Sequence, residues 1–203
     1  MVADAGRVIA GTARSIRLEA PGPGTRPLAD RVKQTLFAIL EPDLRGAAFL
    51  DLFSGSGAAG IEALSRGAAH ATFVERDARA IAVIHANLER TGLANVGRAT
   101  IVRADAVAWL RDRSEVFDLA LVDPPYDEPA KLVASLEALG DHVAPGGRVV
   151  AKHFWRDAPP ASIGLLASER DRRFCETALS FYRRRDDVTG PQDDRLIGTT
   201  EDA

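Results

Sequence analysis

Between Ala47 and Phe154 short apolar runs alternate with segments of helical periodicity, and that alternation admits few folds. The runs AAFLDLF, ATFVER, ATIVRAD, FDLALVDP and RVVAKHF read as five successive strands. Helices are predicted between them over Gly57 to Arg66, Asp77 to Arg90, Asp105 to Arg111 and Glu128 to Leu139. In the second, Ile81, Ile84 and Leu88 recur at three- and four-residue spacing, and Asp77 stands where an N-cap carboxylate complements the helix dipole. Such a succession builds a mostly parallel sheet covered by helices on both faces, so the expected fold is a Rossmann-like, doubly wound α/β domain. Gly164 to Arg170 and Cys175 to Arg183, which contains ALSFY, are expected to close it as an antiparallel strand pair.

Ahead of this core, RVIAGTARSIRLEAP reads as two short strands about a Gly-containing turn, followed by the linker PGPGTRP and a helix. That helix puts Val32, Leu36, Ile39 and Leu40 on one face and leaves Arg31 and Lys33 off it. The expected organisation is a basic hairpin-and-helix extension over 1–45, a core over 46–185 and a loosely ordered acidic tail over 186–203. With 46% hydrophobic residues in 203, the chain can bury a real core, which excludes wholesale disorder. No apolar run approaches the roughly 20 residues of a membrane span, and MVADAGRVIAG carries no apolar leader region. A single cysteine, Cys175, fits a reducing compartment, and a cytoplasmic location is expected.

The segment FLDLFSGSGAAG places Gly55, Gly57 and Gly60 in a G-x-G-x-x-G immediately after a strand and at the start of a helix. Glycines there let backbone approach a ligand and aim helix-start N–H groups at it. Glu75 ends the next strand, 20 residues after Gly55, where an acid can take both hydroxyls of a ribose. To this point a nicotinamide dinucleotide and S-adenosylmethionine fit equally. Asp51 favours the second, since a carboxylate before the glycines meets the cationic amino-acid end of the methyl donor and repels a pyrophosphate. Asp105, with the Ala106 N–H beside it, suits an adenine edge, and would equally serve as a plain helix N-cap. Phe53, Ser54 and Arg76 flank these positions and complete the candidate cofactor contacts.

The run Asp123-Pro124-Pro125-Tyr126 ends the fourth strand, on the same edge as the glycines. An exocyclic amine on a base is a poor nucleophile because its lone pair is delocalised into the ring. The Asp123 carboxylate and Pro124 carbonyl can accept its two N–H bonds, and the prolines fix where that carbonyl points. Tyr126 offers a face on which the base stacks.

The net charge of −3 conceals two basic blocks. Residues 1–35 carry Arg7, Arg14, Arg17, Arg26, Arg31 and Lys33 against three acids, and residues 152–185 carry eight bases against four. Blocks of this kind suit phosphate contacts or a solvated surface. The six bases of the first block are the candidate RNA contacts.

FLDLFSGSGAAGIEALSRGA, with Glu75, Asp105 and DPPY, resembles the class I S-adenosylmethionine-dependent amino-methyltransferases of nucleic acids. RVIAGTARSIRL and RPLADRVKQTLFAIL look more narrowly like the RsmD family, the bacterial 16S rRNA guanine-N2 methyltransferases, over roughly residues 7 to 185. The resemblance implies a methyltransferase core with an N-terminal hairpin, cofactor contacts at Asp51, Gly55, Gly57, Glu75 and Asp105, and catalysis at Asp123 to Tyr126 without a metal. It also implies a partner, 16S rRNA in the small ribosomal subunit or an assembly intermediate, and a monomer is expected. Leu28 and Gln34 depart from the family's R-P-T-x-D-R-x-x-E pattern, and Tyr126 stands where members often carry phenylalanine.

Three rival readings are an amino-methyltransferase acting on adenine N6 or cytosine N4 of DNA, an NAD-dependent oxidoreductase, and a non-enzymatic RNA-binding assembly factor. His70, His85, His142 and His153 lack metal-ligand spacing. Cys175 is expected to pack, Trp109 to sit in the core or against an adenine, and Lys152 and His153 to contact RNA or form a solvated edge.

Overall fold

A computed structural model describes residues 3–22, 28–94 and 97–185. Arg26 and the expected tail from 186 lie outside the described residues. Ala3–Arg7 (β1) and Arg17–Ala20 (β2) pair antiparallel as a separate ribbon, and Asp30–Leu44 forms the first helix (α1). The succession of strand and helix then runs Ala48–Leu52 (β3), Ala58–Ser65 (α2), His70–Glu75 (β4), Ala78–Arg90 (α3), Ala99–Arg103 (β5) and Ala106–Arg111 (α4). It continues through Phe117–Val122 (β6), Pro129–Leu139 (α5), Val143–Phe154 (β7), Ser162–Ile163 (β8), Leu166–Phe174 (β9) and Thr177–Arg184 (β10).

The main sheet has the order β5-β4-β3-β6-β7-β10-β9-β8. β3 to β7 are parallel and β10, β9 and β8 join antiparallel, which bears out the mostly parallel doubly wound sheet and its antiparallel closure. Alternate residues of each strand feed two cores, as the pleat requires. Phe49, Phe73, Leu119 and Leu121 pack with α1, α2, α3 and the ribbon. Leu50, Leu52, Val74, Ala120 and Val122 pack with α4 and α5. Gly60 sits so close to that first core that an added Cβ would lie 2.3 Å from the Phe73 ring. Gly60→Ala is therefore expected to cost about 1–3 kcal/mol by displacing a fully buried phenylalanine, read as a lower urea midpoint at unchanged slope.

Several local expectations need correction. The first strand of the ribbon is Ala3–Arg7, and Val8 to Ile16 instead form a loop closed by Val8 N–H to Ile16 O and Ser15 N–H to Val8 O. Side chains of α2 capture this loop: the fully buried Glu62 accepts from Ile9 N (2.7 Å) and Ala10 N (3.0 Å), and Ser65 Oγ accepts from Ala13 N (2.9 Å). At Gly11, φ is +84° and a Cβ would fall 1.9 Å from the Ser65 carbonyl oxygen, so only glycine closes this approach. Lys33 does not leave the apolar side of α1. It is fully buried and its Nζ donates to the Arg7 carbonyl at 2.5 Å, with burial pushing its pKa down despite Glu62 and Asp30. A buried, satisfied ammonium cannot grip a phosphate, so Lys33 is not an RNA contact. Cys175 is exposed in the two-residue turn between β9 and β10, with φ +53°, and is not packed. Trp109 is core, tilted against Phe117, and Lys152 and His153 are buried rather than a solvated edge. Among the described residues no helix is long and apolar enough to cross a membrane.

Candidate active site

The chain steps outward from β3 to β5 and then returns to the far side of β3 with β6, which opens a crevice at the carboxyl ends of the strands. A cleft of about 900 Å³ lies there. Its walls include Asp51, Phe53, Ser54 and Gly55 after β3, Glu75 and Arg76 after β4, and Asp105 and Ala106 after β5. Asp123, Pro124, Pro125 and Tyr126 after β6 complete that edge. Gly57 is the one cofactor candidate that does not line the cleft. A Cβ there would meet Ile84 and Phe73 at 3.2–3.3 Å and φ is +76°, so the left-handed turn into α2 and close packing explain this glycine. Gly55 is also left-handed, at φ +54°, but its missing Cβ would touch only the Phe53 carbonyl oxygen, at 4.0 Å, leaving its ligand side open.

Local hydrogen bonds hold this turn. Ser54 Oγ donates to the Asp51 carbonyl at 2.6 Å and Ser54 N–H to the Val74 carbonyl at 3.2 Å, stitching the ends of β3 and β4. Phe53 has φ +59°, a conformation a bulky side chain rarely takes, and such strain gathers at ligand sites. Glu75 Oε2 accepts from Gly55 N at 2.9 Å while Oε1 accepts from Arg76 N and Asp77 N. Asp105 caps α4, its Oδ1 accepting from Val107 N and Ala108 N at 3.1 Å. Arg76 reaches across to Glu128, before α5, at 3.1 Å.

Six carboxylates, Asp51, Glu75, Asp77, Asp105, Asp123 and Asp127, line the cleft against two basic side chains, Arg76 and Lys152. Asp51 is 2% exposed, and its Oδ2 accepts from Gly60 N at 2.9 Å. Burial pushes its pKa well above the usual carboxylate value, the Gly60 bond opposes this, and the charges of Asp123 and Glu75 push further upward. An excess of acids over bases of this kind attracts a cation and repels a pyrophosphate.

Lys152, on β7, is the partner that the motif reading missed. Its Nζ donates to Asp123 Oδ1 at 2.6 Å and lies 4.9 Å from the centre of the Tyr126 ring. Burial works to lower the Lys152 pKa, but the charge and hydrogen bond of Asp123 outweigh it, Tyr126 adds to them, and the net shift is upward. Tyr126 is also tied to β10 by a 2.7 Å bond between its hydroxyl and Thr177 Oγ1. The ring is thus held from two strands, which a phenylalanine could not achieve through a hydroxyl. A lysine inside the apolar run VVAKHF was the available signal, because a buried ammonium needs a carboxylate within reach.

The N-terminal extension contributes a wall: Ala5 and Ala20 of the ribbon, with Pro21 after β2 and Leu28 before α1, line the cleft. Asn87 on α3 locks it there, accepting from Glu19 N at 2.8 Å and donating to the carbonyls of Glu19 and Ser56. Arg7 and Arg17 are exposed and paired with Asp30 (3.1 Å) and Asp4 (2.7 Å), while Arg14 and Arg31 are exposed. Among the described residues no cluster of three or more His, Cys, Asp or Glu is placed to hold a metal.

Residues 6–183 match the family described as Conserved hypothetical protein 95. The Bacillus subtilis protein named "Putative rRNA methyltransferase YlbH" is 37% identical over 185 residues, 88% of this chain and 99% of that one. The Escherichia coli K12 protein named "Ribosomal RNA small subunit methyltransferase D" is 40% identical over 121 residues, 59% of this chain and 60% of that one. In three dimensions the solved structure "Putative methyltransferase yhhF from Escherichia coli" superposes with a TM-score of 0.78 at 30% identity, covering 88% of this chain and 97% of that one. A family match over nearly the whole described core, relatives bearing rRNA methyltransferase names and a methyltransferase-like fold agree: the chain belongs to the Conserved hypothetical protein 95 family, the RsmD family.

Proposed function

We propose that the protein transfers a methyl group from S-adenosylmethionine to the exocyclic N2 amine of a guanine in 16S rRNA, acting as a monomer in the cytoplasm on the small ribosomal subunit or an assembly intermediate. The observation that carries this reading is the junction of an acidic cofactor-sized cleft with the DPPY run, whose carboxylate is held by a buried lysine. The residues fit the methyl donor. The open side of Gly55 admits close backbone approach, Glu75 and Asp105 stand at successive strand ends with acceptor oxygens, and Asp51 supplies charge for a cationic ligand. Bound there, S-adenosylmethionine would supply an electrophilic methyl on a sulfonium whose leaving group is a neutral thioether, which needs no acid.

The chain's own part is to prepare the amine. Lys152 holds Asp123 Oδ1, which fixes the carboxylate plane and leaves Oδ2 to accept one amine N–H while the Pro124 carbonyl accepts the other. As the nitrogen gains its new bond it loses a proton, for which Asp123 is the acceptor. With Lys152 over Tyr126, a guanine taken out of its stack packs on the ring's other face. Arg7, Arg14 and Arg31, with Arg17 and Arg26, would meet phosphates around it.

The raised Asp51 pKa gives this reading a pH signature. A cation bound beside Asp51 favours its ionised form, so binding releases a proton and affinity rises with pH through the Asp51 titration. For the unliganded fold the sign reverses: the folded state holds the proton more tightly than the unfolded chain, so stability falls as pH rises through that window. Asp51→Asn should therefore weaken S-adenosylmethionine binding by about ten-fold, remove the pH dependence and raise Tm by about 2–4 °C per kcal/mol gained. Calorimetric titration across pH checks the first two and thermal melting the third.

The function itself is tested by incubating the protein with methyl-labelled S-adenosylmethionine and either small ribosomal subunits lacking the modification or duplex DNA. Label in the subunit RNA alone is expected. Label in DNA alone would replace the proposal with a DNA amino-methyltransferase, and binding of NAD in place of S-adenosylmethionine would end it.

A further inference from the structure

Beyond the cleft, the rings do not stop at Tyr126. Phe154, the last residue of β7, lies 6.4 Å from Tyr126 between ring centres, and Trp155 lies 6.3 Å from Phe154. Trp155 is partly exposed and carries two guanidiniums on its ring, Arg173 at 3.6 Å and Arg156 at 4.8 Å from its centre. Both arginines are exposed, and neither has a carboxylate within 4.0 Å among the described residues, although Asp157, Asp171 and Glu176 are close in sequence. By contrast Arg7 and Arg17 of the ribbon already hold acids.

The cluster is built in place by backbone. Trp155 N–H donates to the Glu176 carbonyl at 3.0 Å, and Arg173 Nε donates to the Cys175 carbonyl at 3.0 Å, so the tight turn between β9 and β10 fixes the indole and one of its guanidiniums together. That leaves the remaining N–H groups of Arg173 to bind an anion. A ladder of rings leading out of a cleft, ending in guanidiniums without acids, matches the chemistry of an unpaired nucleic-acid strand, whose bases stack and whose phosphates take the charge. A folded protein partner would need no such alternation, and a duplex would hide its bases from the rings.

We infer that Phe154 and Trp155, with Arg156 and Arg173, form a second binding site, which takes an unpaired nucleotide next to the methylated one, its base stacked along the Phe154–Trp155 ladder and its phosphate on the two arginines. The inference rests on the reading of the substrate as RNA with its target base out of the stack. It extends the RNA-binding surface to the side of the cleft away from the N-terminal ribbon.

The test measures affinity of the full chain for a short unstructured RNA oligonucleotide by fluorescence anisotropy, together with S-adenosylmethionine affinity and methyl transfer to small subunits. Trp155→Ala is expected to weaken RNA binding about ten-fold with S-adenosylmethionine affinity unchanged, and Trp155→Phe to restore most of it. Arg156→Ala with Arg173→Ala should flatten the dependence of log affinity on log salt by about 1 for each phosphate no longer held. In transfer assays the loss should appear in KM for the subunit and not in kcat. Wild-type RNA affinity in Trp155→Ala, with cofactor binding and transfer intact, overturns the second site and leaves the methyltransferase reading standing. Trp155-dependent RNA binding without methyl transfer overturns that reading and supports the site, while a wild type that does not bind the oligonucleotide overturns the second site, and overturns the methyltransferase reading as well only where transfer to subunits is also absent.

Discussion

Asp123→Asn is expected to lower methyl transfer by about a thousand-fold while leaving S-adenosylmethionine affinity within about three-fold of wild type. The substitution keeps the shape of the side chain and removes both the charge that orients the amine and the base that takes its proton. It also strips the counter-charge from Lys152, which is 7% exposed, so a stability loss of about 3 kcal/mol should accompany it. These two effects separate in a double variant. Asp123→Asn with Lys152→Met removes the buried pair together and should recover most of the stability without recovering transfer. Recovery of both would mean that Asp123 serves the fold and not the reaction. Single-turnover kinetics and urea denaturation on the same preparations read the two quantities.

Glu62→Ala is expected to destabilise the protein by about 3–5 kcal/mol, the largest of the expected stability losses. Its fully buried carboxylate accepts from Ile9 N, Ala10 N and Arg66 Nε, at 2.7, 3.0 and 2.7 Å. Truncation strands two backbone donors, leaves the Arg66 guanidinium, only 10% exposed, with Glu41 as its one remaining acid, and leaves buried Lys33 facing Arg66 and Arg7 with one carboxylate fewer. Because Glu62 fastens the N-terminal loop to α2, and the ribbon beyond that loop forms one wall of the cleft, cofactor affinity should fall as well. Limited proteolysis should cut the first twenty or so residues sooner in the variant. A loss under about 1 kcal/mol with wild-type cofactor binding would show that the ribbon is held by its apolar contacts, Ala5, Val8 and Leu18, and not by this carboxylate.

The contrast between what the sequence made legible and what it hid follows from the range of each interaction. Strands such as ATFVE and FDLALV were readable because burial on both faces leaves continuous apolar runs, and α3 because Asp77 caps it locally, accepting from Arg79 N. The cleft candidates were readable because a doubly wound sheet brings the ends of successive strands to one edge. Lys33, Glu62, Asn87 and Lys152 were not, since each is explained by a partner 26 or more positions away. Local pattern assigned Lys33 to the solvent side of α1, yet the loop returning from β1 brings the Arg7 carbonyl over it. Likewise Val8 to Ile16 has the composition of a strand, but α2 offers its backbone donors a carboxylate and a hydroxyl in place of a neighbouring strand. Glu62 and Lys152 share a warning sign, a charge inside an apolar run of helix or strand, and both turn out to hold a feature of the cleft in place.

Asp123, steadied by Lys152 at the mouth of an acidic cleft, is proposed to prepare a guanine amine for methylation, and the proposed reaction depends on that role. Nucleoside mass spectrometry of 16S rRNA from small subunits incubated with methyl-labelled S-adenosylmethionine is its decisive test, with wild type and Asp123→Asn side by side. Labelled N2-methylguanosine is expected with the wild type and almost none with the variant. Label on a ring nitrogen, a ribose or another base, or equal label with Asp123→Asn, would refute that role.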